Sequence, residues 1–224
     1  MRRFAIAFMA CALLSIVSGQ SAAPQATRVQ VVMLGTGTPL PDLKRSGPSI
    51  AVVVDNHAYL LDAGTGIVRR ADAATRQKGI AGLEPRTLRV AFLTHLHSDH
   101  TLGLPDLILT PWMMGRTEPL ELWGPKGTRA MVEHILAAYQ EDIAIRSTRL
   151  EGSNATGYKV NVHEIEPGDV YKDGIVTVKP FLVKHGEWKQ ALGYGSKHRD
   201  ASSCIPAIPA PLRASSRIAM AATI

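Results

Sequence analysis

The chain predicts an α/β fold built on a mixed sheet, and two observations carry that expectation. Between Arg28 and Gly195, short apolar strand-like runs alternate with helical stretches and hairpin signals. One run, LRVAFL at Leu88–Leu93, is almost continuously apolar, as a strand buried on both faces requires.

The elements follow in order. RVQVVMLG (Arg28–Gly35) reads as a strand ending in the glycine loop GTGTPLP. That loop lacks a third glycine and is followed by prolines instead of a helix, so a dinucleotide-binding reading fails. Ser49–Val54 and Ala58–Leu61 read as a hairpin across Asp55-Asn56-His57, and LLDAGTG then turns into a helix over Ile67–Lys78. Leu88–Leu93 delivers the chain directly into THLHSDH. A short helix is expected within Gly103–Met114 and a strand at LELW. Thr128 is the expected N-cap of the next helix, whose apolar face comprises Met131, Val132, Ile135, Leu136 and Tyr139. Tyr158–Ile165 and Ile175–Val183 read as two further strands, the second running into Lys184-His185-Gly186.

The ends read differently. Arg2 and Arg3 precede an apolar run, Phe4 to Val17, and then small and polar residues. This is the pattern of a secretory signal peptide over residues 1–23, with cleavage expected between Gly19 and Ala26. The run is shorter than the ~20 residues of a membrane span, so no stable membrane anchor is expected, and the protein is expected to be periplasmic or secreted. The formal charge is +6. Two of these charges sit in the leader. A further net three lie after Gly195, from Lys197, Arg199, Arg213 and Arg217 against Asp200, so the body carries about +1. A near-neutral body with no basic run argues against nucleic acid as a partner. Of the two cysteines, Cys11 lies in the leader and Cys204 near the C-terminus, which excludes a cysteine zinc site in the body.

THLHSDH holds the chemistry. His95, His97, Asp99 and His100 crowd four ligand-type side chains into six positions. His95 and His97, at i and i+2 after a strand, project from one face of an extended chain and can share an ion. Asp99 and His100 follow at the turn and can reach a second. An imidazole-rich set with a carboxylate suits Zn²⁺, with Mn²⁺ and Fe²⁺ as alternatives. His57, His134, His163 and His198 read as surface or packing residues. Asn154-Ala155-Thr156 is a glycosylation sequon, given little weight beside a bacterial-looking leader.

THLHSDH resembles the H-x-H-x-D-H motif of the metallo-β-lactamase superfamily. The likeness runs from about Gln30 to Tyr194 and includes GTGTP, LLDAG, GLPDL, WGPKGT and VKHGEWKQALGY. Within that superfamily it resembles the ribonuclease Z-like branch and its exported, arylsulfatase-like relatives. The resemblance implies an αββα sandwich whose second half is incomplete here. It implies one metal site at His95, His97 and His185 and a second at Asp99 and His100. Asp99 takes the general-base role, and Asp62 supports the metal loop without binding metal. A homodimer is also implied. So are an aspartate bridging two zinc ions, from a later S-G-D-T motif, and a final histidine. Neither occurs in the sequence.

After Tyr194 the sequence shows no strand pattern and no helical period, so residues 196–224 are expected to be a disordered or out-of-frame tail. A frameshift is the favoured expectation. Read from the third base of the Asp200 codon, the codons for Asp200–Pro211 permit Arg-Ile-Val-Val-Tyr-Ser-Gly-Asp-Thr-Arg-Pro, a buried strand entering the missing motif. On that expectation the chain holds one zinc or none and folds poorly. The expected function is metal-dependent hydrolysis of a small anionic ester, a sulfate ester or phosphodiester, by a zinc-activated water. The alternatives are tRNA 3′ processing and an inactive remnant.

Overall fold

The computed structural model describes residues 29–148, 152–198, 201–205 and 220–221, the last two segments as backbone. The leader expected over residues 1–23 lies outside the described residues. No helix among those described is long and apolar enough to cross a membrane.

Two sheets form the frame. The first has seven strands: β1 (Val29–Gly35), β2 (Ser49–Val54), β3 (His57–Leu61), β4 (Val90–Phe92), β5 (Leu120–Gly124), β6 (Val160–Glu164) and a short strand at Met220–Ala221 that pairs parallel with β1. The β1–β2 and β2–β3 pairs are antiparallel, whereas β3 through β6 run parallel, so the sheet is mixed as expected. The β2–β3 turn is tighter than the sequence implied. Val54 pairs with His57, and only Asp55 (φ 47°) and Asn56 (φ 65°) make the turn, the two-residue geometry that follows strand twist.

The second sheet is antiparallel, with β7 (Tyr171–Lys172), β8 (Val176–Leu182), β9 (Leu192–His198) and β10 (Ala201–Ile205) in the order β10-β9-β8-β7. The expectation of an unstructured or out-of-frame tail over residues 196–224 is corrected as far as residue 205; residues 206–219 and 222–224 lie outside the described residues. Ala201 lies opposite His198 and Ile205 opposite Tyr194, so the ladder continues through residue 205. A ladder is made by backbone groups, and an edge strand needs no side-chain alternation to join it.

Two apolar layers hold the sheets and helices together. On one face of the first sheet, Val32, Leu60, Ala91 and Leu122 pack with residues of α1 (Ile67–Lys78), α3 (Leu104–Met113) and α4 (Thr128–Ala138). On the other, Val52, Tyr59, Leu61 and Phe92 meet Val176, Val178, Leu192 and Tyr194 of the second sheet. The result is the α/β sandwich the sequence predicts, helices over a sheet over a sheet. The described helices all precede β6.

Helix α4 departs from expectation at both ends. Thr128 is its first residue, not its cap: its hydroxyl donates to the Pro125 carbonyl at 2.7 Å. The cap comes from another strand. The Glu164 carboxylate accepts from Gly127 N–H (2.7 Å) and Arg129 N–H (3.1 Å), satisfying donors a helix start leaves free. Tyr139 lies past the helix end and is exposed, because the chain turns there into α5 (Gln140–Ser147). The sequon is also accounted for. Asn154 Nδ2 donates to the Arg116 carbonyl, and its Oδ1 accepts from Thr156 and Gly157 N–H, so the side chain closes a loop.

Candidate metal centre

Strand β4 ends at Phe92, and the next residues are fixed from two sides. Leu93 N–H donates to Trp123 O in the first sheet. From the second sheet, Leu192 N–H donates to Thr94 O, and the buried Tyr194 hydroxyl donates to Leu93 O at 2.7 Å. His95 follows, fully buried. His97 then stands in extended backbone (ψ 146°) at the start of α2 (Ser98–Thr101), which carries Asp99 and His100. Backbone-to-backbone packing seats this short helix. Ala63 N–H donates to His100 O and Gly103 N–H to Ala63 O, both at 2.8 Å, and a Cβ at Gly103 would overlap the Gly64 carbonyl.

His185 arrives from the β8–β9 loop. The three imidazoles converge: His95 Nε2 lies 2.9 Å, and His185 Nε2 3.1 Å, from His97 Nδ1. One nitrogen from each lies within 4.8 Å of the others. Asp99 and His100 sit alongside, with His100 Nε2 3.6 Å from the Asp99 carboxylate and the His95 and His100 ring centroids 4.2 Å apart. All five predicted site residues are therefore brought together. Among the described residues His95, His97 and His185 form a three-member ligand set, while Asp99 and His100 make a pair beside it.

Asp62 organises the cluster from below. It is buried at the end of β3, with φ of 60° in the left-handed region that aspartate tolerates better than most residues. Its carboxylate accepts from Thr94 N–H (2.8 Å), from the Thr94 hydroxyl (2.9 Å) and from His100 Nδ1 (2.7 Å). The Thr94 hydroxyl, having given its hydrogen to Asp62, accepts from His95 Nδ1 at 2.9 Å. Both histidines are thus held as the tautomer with a bare Nε2, and those nitrogens face the cluster. Removing the carboxylate in Asp62→Ala leaves three donors unpaired and both rings unguided. The expected result is a 10- to 100-fold loss of zinc affinity, read by competition against a chromogenic chelator. Unchanged affinity would show that Asp62 has no orienting role.

The protonation of His95 and His185 fits cation binding. Burial, followed by the charges of His100, His185 and His97, depresses His95 to about 3. His185 is lowered by burial and by His97 and His100, against an opposing pull from Asp99. Burial also works against charge on His100, but the Asp62 hydrogen bond and the Asp62 and Asp99 charges outweigh it, so His100 is raised. The first two histidines stay neutral in the fold where the unfolded chain takes up protons. The metal-free protein is therefore expected to lose stability as pH falls from about 6.5 toward 3. His100 contributes in the opposite sense. Its share is present below about 6.5 and lost as pH rises through its raised value. Thermal melts of chelator-treated protein from pH 8 to 4 test this. His95→Gln is expected to flatten the acid slope, and an unchanged slope would remove His95 as its source.

Two residues of the site carried no sequence signal of their own. Trp188 Nε1 donates to His97 Nε2 at 2.7 Å. Gln190 bridges three segments, accepting from Lys126 N–H (3.0 Å) and donating to Ile165 O (2.8 Å), which fixes the loop bearing His185 against the first sheet. Both line an open cleft of about 670 Å³ beside His97 and His185. The histidines read as bystanders stay out of the cluster. His57 contacts its own turn, His134 is exposed, and His163 pairs with Glu121 at 2.7 Å and stacks on Trp123.

A helix-backed two-sheet sandwich with three histidines converging beside the end of a buried strand is the architecture of a protein able to hold a metal ion there. The chain belongs to the metallo-β-lactamase superfamily: residues 57–205 match the Beta-lactamase superfamily domain. Among curated proteins it is 38% identical over 176 residues to Ribonuclease Z of Mycobacterium sp. (strain KMS), a match covering 78% of this chain and 59% of that protein. It is 32% identical over 197 residues to Ribonuclease Z of Mycolicibacterium gilvum, covering 87% of this chain and 66% of that one. Human tRNase Z, short form, shares the fold with a TM-score of 0.59 at 22% identity, covering 79% of this chain and 67% of that one. The likeness is to the ribonuclease Z-like branch, and the chain spans less than two thirds of the length of these curated relatives. The expected arylsulfatase likeness finds no support among them.

Proposed function

We propose that the chain is a metal-dependent phosphodiester hydrolase of the ribonuclease Z type, with a tRNA precursor as substrate. The observation that carries the metal site is the convergence of one ring nitrogen each from His95, His97 and His185 within 4.8 Å. Three imidazoles in that arrangement suit zinc bound by three protein ligands with a fourth position open. A metal held there supplies the Lewis acidity that makes water nucleophilic at neutral pH. The protein supplies the rest. Asp62 and Thr94 fix the ligand tautomers, Asp99 takes the water's proton, and His100 beside it offers a further nitrogen on the same side. The sulfate ester is dropped as a substrate, and the expectation against nucleic acid gives way to the ribonuclease names of the relatives.

The test uses purified chain with zinc and three substrates: a tRNA precursor with a 3′ trailer, an aryl phosphodiester and an aryl sulfate. Zinc-dependent cleavage of the first, with the sulfate untouched, is the expected result. Cleavage of the aryl phosphodiester alone would move the substrate to small esters. Bound zinc without turnover would leave an inactive remnant, consistent with only Asp99 and His100 at the second position among the described residues. Export is proposed separately from Arg2, Arg3 and the Phe4–Val17 run. Cell fractionation tests it, and a periplasmic protein would favour the small phosphodiester over tRNA.

A further inference from the structure

The cleft beside the ligand cluster has a composition of its own. Its rim carries Lys126 and Lys189, both exposed, and its wall carries Trp188 between His97 and Gln190. The indole lies 5.0 Å from the His97 ring, centroid to centroid, at an interplanar angle of 89°, and 5.8 Å from His95 at 73°. Neither histidine is stacked on it, and among the described residues no other ring contacts it. A large aromatic face, partly exposed and left without a stacking partner among the described residues, thus opens next to the candidate metal centre. It is held in place at one edge by the bond to His97 and at its backbone by Trp188 N–H donating to His185 O at 3.0 Å.

We infer that Trp188 is a base-stacking platform, with Lys126 and Lys189 as phosphate contacts, so that the cleft selects a phosphodiester flanked by a nucleobase. This rests on the proposed function and deepens it by naming what is recognised beside the scissile bond. The physical basis is general. Bases stack on aromatic rings without regard to sequence, and paired cations track the backbone. The two lysines face one acid of the same rim, Glu187, so the lining is net positive although the body as a whole is near neutral. Trp188 is also the residue in the cleft best able to discriminate a nucleotide from a bare phosphodiester, since the lysines bind both.

The experiment measures binding, not turnover. Full-length chain, with zinc and again with chelator, is titrated with phosphorothioate-linked pentadeoxyadenylate and with a pentamer of the same backbone lacking bases. Fluorescence anisotropy of a 5′-labelled copy reports the first, and competition against it reports the second. The native protein is expected to bind the base-bearing pentamer about 5- to 150-fold tighter, the worth of a single aromatic stack. Trp188→Ala is expected to lose that preference, and Trp188→Phe, which keeps an aromatic face but no N–H, to retain most of it. Lys126→Ala and Lys189→Ala are expected to weaken both pentamers alike and to lower the salt dependence. Equal binding of the two pentamers by native protein overturns the inference, as does equal loss of preference in the alanine and phenylalanine variants. Base preference without RNA cleavage would sink the proposed reaction and leave the subsite standing. RNA cleavage without base preference would do the reverse.

Discussion

Replacing His97 with alanine is expected to abolish zinc retention and reduce hydrolysis to background. His97 Nδ1 is the nitrogen to which both other ligand nitrogens are close, at 2.9 and 3.1 Å. Without it two imidazoles remain, and among the described residues no third ligand is arranged to take its place. Mutating residues that merely orient ligands costs about 10- to 100-fold in affinity, so loss of a ligand is expected to exceed 100-fold. His97 is exposed, and the stability of the metal-free fold is expected to change by no more than about 0.5 kcal/mol. That separates this variant from one that simply unfolds. Zinc content after dialysis, with metal-free melting temperature alongside, gives the reading, and the exposed His134→Ala serves as control. A His97→Ala protein that keeps its zinc would place the ion elsewhere.

The second large effect is on stability, at Arg116. This side chain is buried, 1% exposed, with no carboxylate among its hydrogen-bond partners. Four carbonyls receive the guanidinium instead. Leu88 O and Leu107 O lie 3.0 and 3.1 Å from one terminal nitrogen, and Ile108 O and Gly157 O lie 2.8 and 2.9 Å from the other. Burial, with a smaller push from Arg89, lowers the group to about 10, so it remains charged at neutral pH. One cation thereby joins α3, the approach to β4 and the loop before β6. Arg116→Ala removes the donors, leaves those carbonyls buried and unpaired and opens a cavity, for an expected loss of about 3–5 kcal/mol. That is much of a domain's usual margin. Denaturant melts measure it. A loss below about 1 kcal/mol would mean that water replaces the side chain without strain.

Legibility in the sequence followed the range of each interaction. The buried strand running into THLHSDH was readable, because an apolar run and dense ligand spacing are local signals. His185 entered through the resemblance of VKHGEWKQALGY, since 88 residues separate it from His97 and no spacing rule spans that. The Glu164 cap, the Gln190 bridge and the Arg116 cage each join chain segments remote in sequence, and their residue types are ordinary on any surface. Strand β10 was missed for another reason: its pairing with β9 is a backbone property, and ASSCI shows no apolar period. The rim lysines Lys126 and Lys189 were hidden for a third reason, since a net charge summed over the body does not report two cations on one rim.

The seam between the sheets has a further consequence. His95 and His97 follow a strand of the first sheet and His185 lies between two strands of the second, and Leu192, Tyr194 and Gln190 already tie the two together there. An ion shared by these histidines would act as a reversible cross-link across an 88-residue span. By loop-closure entropy such a link would be comparable with a disulfide of that reach, about 4.6 kcal/mol. The β8–β9 hairpin would then work as a clasp whose strength the surrounding zinc concentration sets. Slow amide exchange in that hairpin would rise and fall with chelator, and a protein starved of metal would be the one cut by proteases at its second sheet.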